Sequence, residues 1–338
     1  MISLPRDWRA ARTRWPLRSW GYAVVAPAVV LGAFPLSAQS LTRAGGLDSG
    51  AHEATINGVR LWYRVAGNSS SMRAPVLFLH GGPGYNSYSF SVLEGPRLEP
   101  ALRMVYLDQR GSGRSERPAS GDYSMATLVA DIEALRLALG VERVNIIGHS
   151  FGTILALEYA AAHPERVAHL VIVSGTGDFP LTCHFRYEHL IALHPEVATA
   201  AATAAKQSPT GECEAEFRTL RGPTYEAFAN AIMFPDSARR QLQDSIDAAS
   251  GLTNTGEMQR AVFANGLLTY HFTGAPRLTM PVLVMAGGRD GADGPEPSRA
   301  LAKSIVGSRL LVYENAGHFV YLDEPERFAR DVIAFISK

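Results

Sequence analysis

Short runs of apolar and β-branched residues recur along the chain and predict the strands of a buried sheet. Continuous apolar runs, without the alternation of a half-exposed strand, are typical of parallel strands that are covered on both faces. The predicted strands are Val76 to Phe78, Met104 to Leu107, Val144 to Ile147, Leu170 to Val173, Val282 to Met285 and Leu310 to Val312. These runs favour a mostly parallel sheet.

Helical patterns lie between the predicted strands. Apolar residues repeat at helical spacing over residues 128–139, with Ser124 as a candidate N-cap before them and Gly140 as a stop after them. A second helix is predicted from Phe151 to Ala162. The alternation of strand and helix predicts an α/β fold in which helices flank the sheet.

The pattern changes over residues 179–278, where Ala-rich helical sequence contains no convincing strand. A helical block inserted between strands of one sheet is most simply a cap over the carboxyl edge of the sheet, where α/β proteins bind ligands. The sequence therefore predicts a core of residues 51–178 and 279–338, with residues 179–278 as an inserted helical cap domain.

Residues 1–38 differ from the rest of the chain. Five arginines lie between residues 6 and 18, an apolar stretch covers residues 21–36, and small residues surround Ala38. This order predicts a secretory signal peptide that is cleaved near Ala38, and hence a secreted or periplasmic protein. The alternatives are an uncleaved membrane anchor and a misassigned start codon. Pro27 and Pro35 argue against an anchor, because they interrupt a stretch shorter than the ~20 residues of a spanning helix.

The composition narrows the class of partner. The chain has 338 residues, 46% of them hydrophobic, and a formal net charge of zero, so it is globular and has no general attraction to nucleic acid. No segment after residue 38 is apolar and long enough to predict stable membrane insertion. The expected partner is a small-molecule or short-peptide substrate, and the sequence favours no particular oligomeric state.

Two cysteines, Cys183 and Cys213, lie in the predicted cap. An exported chain favours a disulfide between them, with two free thiols as the alternative. No Cys-x-x-Cys motif is present, which argues against a zinc knuckle or a redox motif. No metal ion and no cofactor are expected.

The sequence Gly148-His149-Ser150-Phe151-Gly152 lies between a predicted strand and a predicted helix. In this context a Gly-x-Ser-x-Gly motif holds the serine in a strained turn above the sheet, and its glycines avoid collisions with neighbouring elements. Ser150 is therefore the candidate nucleophile. The alternative is a serine in an unrelated turn.

A serine nucleophile needs a base, and the base needs an orienting acid. His318 follows the last predicted strand, and Asp290 follows the strand before it, which gives the order serine, acid, histidine. Asp293 is the rival acid, but Asp290 is closer to the end of its strand. His149, inside the serine motif, is interpreted as a packing residue.

The glycine-rich stretch at residues 80–84 follows an early predicted strand. An attacked carbonyl becomes an oxyanion that needs two N–H donors, and the candidates are the backbone amides of Gly82 and Phe151. A phosphate-binding loop is the competing interpretation, but no Gly-Lys-Ser/Thr ending follows. In the second glycine-rich stretch, at residues 108–115, Asp108 and Arg110 are expected to brace the floor of the site, with direct substrate contact as the alternative.

These motifs together resemble α/β-hydrolases of the proline iminopeptidase type. The resemblance covers residues 58–175 and the chain from residue 281 onward. It rests on His-Gly-Gly-Pro-Gly at 80–84, Asp-Gln-Arg-Gly-Ser-Gly-Arg-Ser at 108–115, the serine motif at 148–152, Asp290 and His318. It implies an α/β-hydrolase fold and the removal of an N-terminal residue, often proline, through an acyl-enzyme on Ser150.

The cap departs from that family's pattern. In the better-known iminopeptidases, cap glutamates hold the free amino group of the substrate, and one of them follows a Trp-x-x-Trp pair. Here the nearest stretch is residues 225–229, with alanine where that glutamate would fall, and Phe151 stands where tryptophan is usual. The candidate substrate-binding residues are Glu188, Glu212 and Glu226, with Glu214 and Glu216 as further cap acids. The alternative for each is a solvated helix face.

Three hypotheses for the function follow. The first is an aminopeptidase that releases N-terminal residues from short peptides. The second is a carboxylesterase or lactonase on small acyl substrates, because the same three residue types cleave esters. The third is a catalytically inactive binding module. The presence of a suitable residue at every position of the serine, histidine and acid set argues against it.

Overall fold

An eight-stranded sheet runs through the protein in this computed structural model, which describes residues 47–70 and 73–338. The predicted signal peptide lies outside the described residues. The strands are β1 (Gly50–Ile56), β2 (Val59–Gly67), β3 (Val76–Leu79), β4 (Arg103–Asp108), β5 (Val144–His149), β6 (Val167–Val173), β7 (Val282–Gly287) and β8 (Arg309–Tyr313). Their order across the sheet is β1-β2-β4-β3-β5-β6-β7-β8.

The six strands predicted from the apolar runs are confirmed, and all of them are parallel. Strand β3 lies between β4 and β5, and its last residue, Leu79, pairs with both Leu107 and Gly148. The loops that follow these three strands therefore leave the same edge of the sheet side by side. This register brings the glycine-rich stretch at 80–84 next to the Ser150 motif.

Strands β1 and β2 were not among the predicted strands. They form an antiparallel hairpin at the edge of the sheet, with Asn57 and Gly58 at the turn. Both turn residues have positive φ, 47° and 80°, which is the conformation that an Asn-Gly hairpin turn requires. Apolar and polar positions alternate along β2 because only one of its faces is fully covered. A search for continuous apolar runs misses such strands.

Twelve helices surround the sheet in the described part of the chain. They are α1 (Tyr88–Leu98), α2 (Met125–Ala138), α3 (Phe151–Ala162), α4 (Phe179–Leu193), α5 (Ala198–Gln207), α6 (Ala215–Thr219), α7 (Gly222–Met233), α8 (Ser237–Ser250), α9 (Glu257–Ala264), α10 (Pro295–Ser304), α11 (Val320–Asp323) and α12 (Pro325–Ile336). Helices α2, α3 and α10 pack on one face of the sheet, and α1, α11 and α12 pack on the other. The sheet is thus buried between two helical layers, as the α/β prediction required.

The two helices predicted in the core are confirmed. Helix α3 has the predicted bounds. Helix α2 begins after Ser124, whose Oγ accepts a hydrogen bond from the backbone N–H of Thr127 at 3.4 Å. The chain leaves this helix through Gly140, which has a φ of +70°.

Between β6 and β7 the chain forms the helices α4 to α9 and short 3₁₀ turns, as expected for residues 179–278. Part of this cap has an apolar core of its own, in which Leu190, Phe228 and Ile232 pack together with Ala292 from the loop after β7. The side chains of α9 pack instead against the main core. The cap is therefore attached to the sheet beside the ends of β5, β6 and β7.

Cys183 and Cys213 form a disulfide bond within the cap, with their Cα atoms 4.6 Å apart. The bond joins α4 to the 3₁₀ turn that precedes α6. Of the two alternatives that the sequence left open, the structure has the bridge. Over residues 47–70 and 73–338, no helix combines the length and the apolar character that a bilayer crossing requires.

Candidate active site

Ser150 occupies the turn between β5 and α3. Its φ of 53° and ψ of −124° are strained for a residue with a side chain, as the motif predicted. The turn also requires glycine two residues after Ser150, because a Cβ on Gly152 would collide with the carbonyl oxygen of Leu79. The backbone N–H of Ser150 donates to the carbonyl oxygen of Val173 at 3.0 Å, which fixes the turn to β6.

The loop after β3 passes directly beside Ser150. A Cβ on Gly81 would come within 2.7 Å of the Cβ of Ser150. The backbone can approach the serine this closely only because residue 81 has no side chain. Gly82 has a φ of +119° and precedes a cis peptide bond to Pro83. Within the described residues, the N–H groups of Gly82 and Phe151 donate to no loop carbonyl, and both residues line the same pocket as Ser150. Both amides are therefore available to an oxyanion formed at Ser150.

His318 and Asp290 form a buried pair, with Nδ1 of the histidine 3.0 Å from Oδ2 of the aspartate. Burial opposes the charge on His318, but the ion pair and hydrogen bond with Asp290, together with the nearby Asp293 carboxylate, raise the pKa of the histidine above its ordinary value. Burial likewise opposes the charge on Asp290, yet the His318 ring and two backbone N–H groups hold the pKa of the aspartate below its ordinary value. The geometry selects Asp290, and not Asp293, as the partner of His318.

The loops that carry these two residues are fixed to the end of α7. The N–H of His318 donates to the carbonyl oxygen of Met233 at 3.0 Å, and the N–H of Gly291 donates to that of Ile232 at 2.7 Å. Oδ1 of Asp290 accepts from the N–H groups of Ala292 at 2.8 Å and Asp293 at 3.1 Å. The side chain of Asp290 is therefore fixed by backbone N–H groups of its own loop, and that loop is fixed in turn by its hydrogen bond to α7 of the cap.

His149 is a buried supporting residue, in agreement with its interpretation as packing. Its Nε2 lies 3.0 Å from the carbonyl oxygen of His318, which requires Nε2–H to donate. Burial, reinforced by the neighbouring His318, lowers the pKa of His149 to about 3, so the ring is neutral at physiological pH. The hydrogen bond positions the backbone of His318.

Asp293 faces the nucleophile. Oγ of Ser150 donates to Oδ2 of Asp293 at 3.5 Å, at the long limit of a hydrogen bond. In the described residues Oγ makes no hydrogen bond to His318, although both residues line the pocket. Burial raises the pKa of Asp293 to about 6, against the opposing effect of His318. The rival acid of the sequence analysis is thus a second carboxylate of the site, in contact with Ser150.

A pocket of about 210 Å³ lies between the core and the cap, directly over Ser150. Its core wall includes Gly82, Phe151, Asp293 and His318. Its cap wall is largely aromatic and aliphatic, with Phe179, Tyr187, Phe217, Tyr225, Phe263, Leu267 and Leu268, and includes the disulfide. The polar side chains that enter it from the cap are Arg186, Glu212, Glu216 and Gln259.

Only one of the three candidate substrate-binding glutamates reaches this pocket. Glu212 lines it and accepts a hydrogen bond from Nδ1 of His184 at 2.8 Å. Glu188 and Glu226 were wrong as pocket residues, because the packing of α4 and α7 turns both side chains to solvent. Their solvated-helix alternative holds.

Two pocket residues were missed as candidates. Nη2 and Nε of Arg186 bind Oε1 and Oε2 of Glu216 at 2.6 and 3.1 Å, in a bidentate ion pair. Although burial opposes its charge, the Glu216 carboxylate raises the pKa of Arg186. The sequence did not distinguish Glu216 from the other four candidate glutamates of the cap, and Arg186 belongs to no recognisable motif. The residues lie on α4 and α6, so their contact depends on how these helices pack.

The second glycine-rich stretch supports the site from below. Oδ1 of Asp108 accepts from the N–H and Oγ of Ser87, at 2.8 and 2.7 Å. Arg110 is buried in a bidentate ion pair with Asp131 on α2. Neither Asp108 nor Arg110 lines the pocket, which favours the bracing role over substrate contact. Within the described residues, no group of three or more His, Cys, Asp or Glu side chains is arranged to hold a metal ion.

Comparisons with known proteins agree on the family to which this chain belongs. Residues 74–325 match the model of a family described as alpha/beta hydrolase fold. The chain is 28% identical over 276 residues to a proline iminopeptidase of Heyndrickxia coagulans, covering 78% of this chain and 90% of the relative. It is also 28% identical over 284 residues to a 2-hydroxymuconate semialdehyde hydrolase of Pseudomonas putida, covering 82% and 92%.

A solved structure agrees with the sequence comparisons. The proline iminopeptidase-related protein of Thermus thermophilus superposes with a TM-score of 0.71 at 28% identity, covering 86% of this chain and 98% of that one. The family match extends over most of the sheet and the whole cap. The chain is therefore a member of the alpha/beta hydrolase fold family, and a hydrolase.

Proposed function

We propose that this hydrolase is a serine aminopeptidase of the proline iminopeptidase type, which releases N-terminal residues from short peptides. The observation that carries the proposal is the acidic lining of a small pocket directly over Ser150. Glu212, Glu216 and Asp293 all enter it, and among the described residues only Glu216 is paired with an arginine there, so the pocket keeps a negative charge and favours a substrate with a positive charge close to the attacked carbonyl. A peptide with a free N-terminus has its ammonium group at that position.

Catalysis begins when Oγ of Ser150 attacks the carbonyl carbon of the N-terminal residue. The Oγ–C bond forms as the hydroxyl proton passes to Nε2 of His318, and Asp290 stabilises the resulting imidazolium. The N–H groups of Gly82 and Phe151 donate to the oxyanion. The C–N bond then breaks, His318 returns its proton to the leaving amine, and the acyl-enzyme remains.

Water completes the reaction. His318 takes a proton from the water, whose oxygen attacks the ester carbonyl of the acyl-enzyme, and the second oxyanion is held by the same two amides. The O–C bond to Ser150 breaks, and the proton returns from His318 to Oγ. The products are the free N-terminal amino acid and the shortened peptide, and no cofactor takes part.

The cap limits the size of the substrate. The pocket volume of about 210 Å³ suits one small residue beside the nucleophile, and its aromatic walls suit an apolar side chain such as the proline ring. The cap also covers the acyl group on Ser150, which limits the access of bulk water.

A second candidate function is a carboxylesterase or lactonase with a small acyl group. Two features of the pocket favour it. The bidentate contact with Arg186 neutralises the charge of Glu216, and most of the cap wall is apolar. An uncharged acyl group therefore also fits the pocket.

Hydrolysis of Pro-, Ala- and Leu-β-naphthylamide, beside their N-acetylated forms and p-nitrophenyl acetate, separates the two functions. Ser150→Ala provides the blank. An aminopeptidase turns over only the substrates with a free amine, whereas equal turnover of the blocked and free forms, or of the ester alone, refutes the peptidase proposal. A protein that neither turns over substrate nor is labelled by a fluorophosphonate probe is a binding module.

We further propose that the protein is exported and works outside the cytoplasm. The Cys183–Cys213 bridge supports this location, because structural disulfides persist in oxidising compartments. The experiment is N-terminal sequencing of the protein recovered from the periplasm or medium of its natural host. Cleavage near Ala38 is expected, and an intact N-terminus on a cytoplasmic protein refutes the proposal.

A further inference from the structure

Asp293 has no part in the serine, histidine and acid machinery, yet it is the carboxylate in contact with the nucleophile. Its Oδ2 lies 3.5 Å from Oγ of Ser150, and its side chain lines the pocket. The N–H of Asp293 donates to Oδ1 of Asp290, which fixes the backbone at Asp293.

The three acids that line the pocket differ in their partners. Glu216 is bound by Arg186 through two hydrogen bonds, and Glu212 is bound by His184. Asp293 has no ion pair within the described residues. Glu216 already has a cationic partner in Arg186, and Glu212 already accepts a hydrogen bond from the His184 ring, so Asp293 is the pocket acid best placed to receive a positive charge.

The distance to Ser150 matches an α-ammonium group. Standard backbone geometry puts the amine nitrogen of an N-terminal residue about 2.5 Å from its carbonyl carbon. When that carbon is bonded to Oγ, the nitrogen is roughly 3 Å from Oγ. A carboxylate oxygen 3.5 Å from Oγ is therefore within hydrogen-bond reach of the nitrogen when the nitrogen lies on the Asp293 side of Oγ. The side chains of the cap are not needed for this contact.

We propose that Asp293 is the specificity-determining residue that binds the substrate's free α-ammonium group, an assignment that rests on the aminopeptidase function proposed above. The ammonium replaces the Ser150 hydroxyl as the donor to Asp293. Oγ then turns its proton from Asp293 towards His318. A free amine thus promotes both binding and activation of the nucleophile.

The ionisation states are compatible with this contact at neutral pH. Burial raises the pKa of Asp293 only to about 6, so the carboxylate is charged at pH 7. An α-amino group has an ordinary pKa of about 7.7 to 8.0 and is mostly protonated there. His318, Asp290 and Arg186 are the other titratable groups that act on Asp293.

The test compares two substrates that differ only in the amine. L-Alanine methyl ester and N-acetyl-L-alanine methyl ester are followed by pH-stat at pH 7, and the measured quantity is the ratio of their kcat/KM values. Asp293→Asn removes the charge and keeps the shape. Glu212→Gln is the matched change at another pocket acid, and Glu226→Gln is the matched change on the exposed face of the cap. Thermal unfolding checks that each variant is folded, and Asp293→Ser replaces the asparagine variant if that one fails to fold.

We expect the wild type to prefer the free amine, and Asp293→Asn to reduce this preference about 100-fold through a lower kcat and a higher KM. The ratio of Glu226→Gln, on the exposed face of the cap, stays within about threefold of the wild type, and Glu212→Gln lowers the ratio less than Asp293→Asn does. A ratio retained in Asp293→Asn, or lost in Glu212→Gln, overturns the assignment of Asp293 alone. A wild type without any preference refutes the aminopeptidase function itself.

Discussion

The Cys183–Cys213 bridge stabilises the cap and sets the geometry of the pocket, and its removal tests both effects. The perturbation is the double variant Cys183→Ala/Cys213→Ala, because both side chains are buried and tolerate alanine better than serine. The bridge closes a loop with a sequence separation of 30 residues. Loop-closure entropy then gives a contribution of about 3.6 kcal/mol to the free energy of unfolding.

That figure is a ceiling, because the unfolded chain retains structure and the cap opens in part independently of the sheet. For a chain of 338 residues, each kcal/mol lowers Tm by about 1.5 °C. We therefore expect the double variant to unfold about 3 to 5 °C below the wild type in calorimetry. A Tm within about 1 °C of the wild type, or two titratable thiols in the denatured, unreduced wild-type protein, would refute the reasoning.

The bridge also has a predictable effect on kinetics. Arg186 lies three residues after Cys183, and Glu216 lies three residues after Cys213, about one helical turn in each case. The disulfide therefore keeps Arg186 and Glu216 at the separation that their ion pair requires. In the double variant we expect KM to rise more than kcat falls, because the cap wall loosens while Ser150, His318 and Asp290 stay on the core.

Three further predictions concern charged groups. His318 has a raised pKa and must be neutral to act as base, so kcat/KM should fall as the pH drops through a value above 6.5. An acid limb below 6.5 in the pH profile for Ala-β-naphthylamide would contradict this. Burial raises the pKa of Glu94 to about 8 from 4.5, so the folded state binds more protons than the unfolded state between these values and loses stability as the pH rises through them. Glu94→Gln should therefore become more stable relative to the wild type as the pH rises from about 5 to about 9. At 1.36 kcal/mol per pKa unit, the gain is at most about 5 kcal/mol. Urea unfolding midpoints that change with pH in the same way for both proteins would disprove it. Arg110→Met leaves Asp131 buried without its partner, which should cost about 3 to 5 kcal/mol in urea unfolding with the substrate preference unchanged; a shift in that preference would show that Arg110 acts on the substrate.

Most of the sheet and the core of the site could be predicted from the sequence because local patterns determine them. A buried parallel strand is a continuous apolar run, and the turn after β5 needs glycine at fixed offsets from Ser150. The hairpin of β1 and β2 also has a local signal, the Asn57-Gly58 turn, but the strands beside it alternate and resemble other half-exposed segments. A search for the turn, and not only for apolar runs, would have found it.

The cap residues could not be assigned in the same way. Glu188, Glu212 and Glu226 all lie in helical or 3₁₀ segments, and the sequence gives no measure of which face of each segment turns inward. The packing of α4 against the chain from residue 211 decides this, and it brings Glu212 into the pocket while Glu188 faces solvent. The contact between Arg186 and Glu216 spans 30 residues of chain and has no local signature.

The two aspartates after β7 show most clearly where the three-dimensional structure adds to the sequence. Asp290 and Asp293 are three residues apart in one loop, and the order of motifs admits either one as the acid. The fold separates them because Asp290 is closed on one side by His318 and on the other by the amides of Ala292 and Asp293. Both carboxylate oxygens of Asp290 are thus occupied, whereas Asp293 accepts from the hydroxyl of Ser150 and lines the pocket. Under the assignment proposed above, Asp290 serves the base and Asp293 serves the substrate, so the distinction between the two aspartates would also be the distinction between mechanism and specificity.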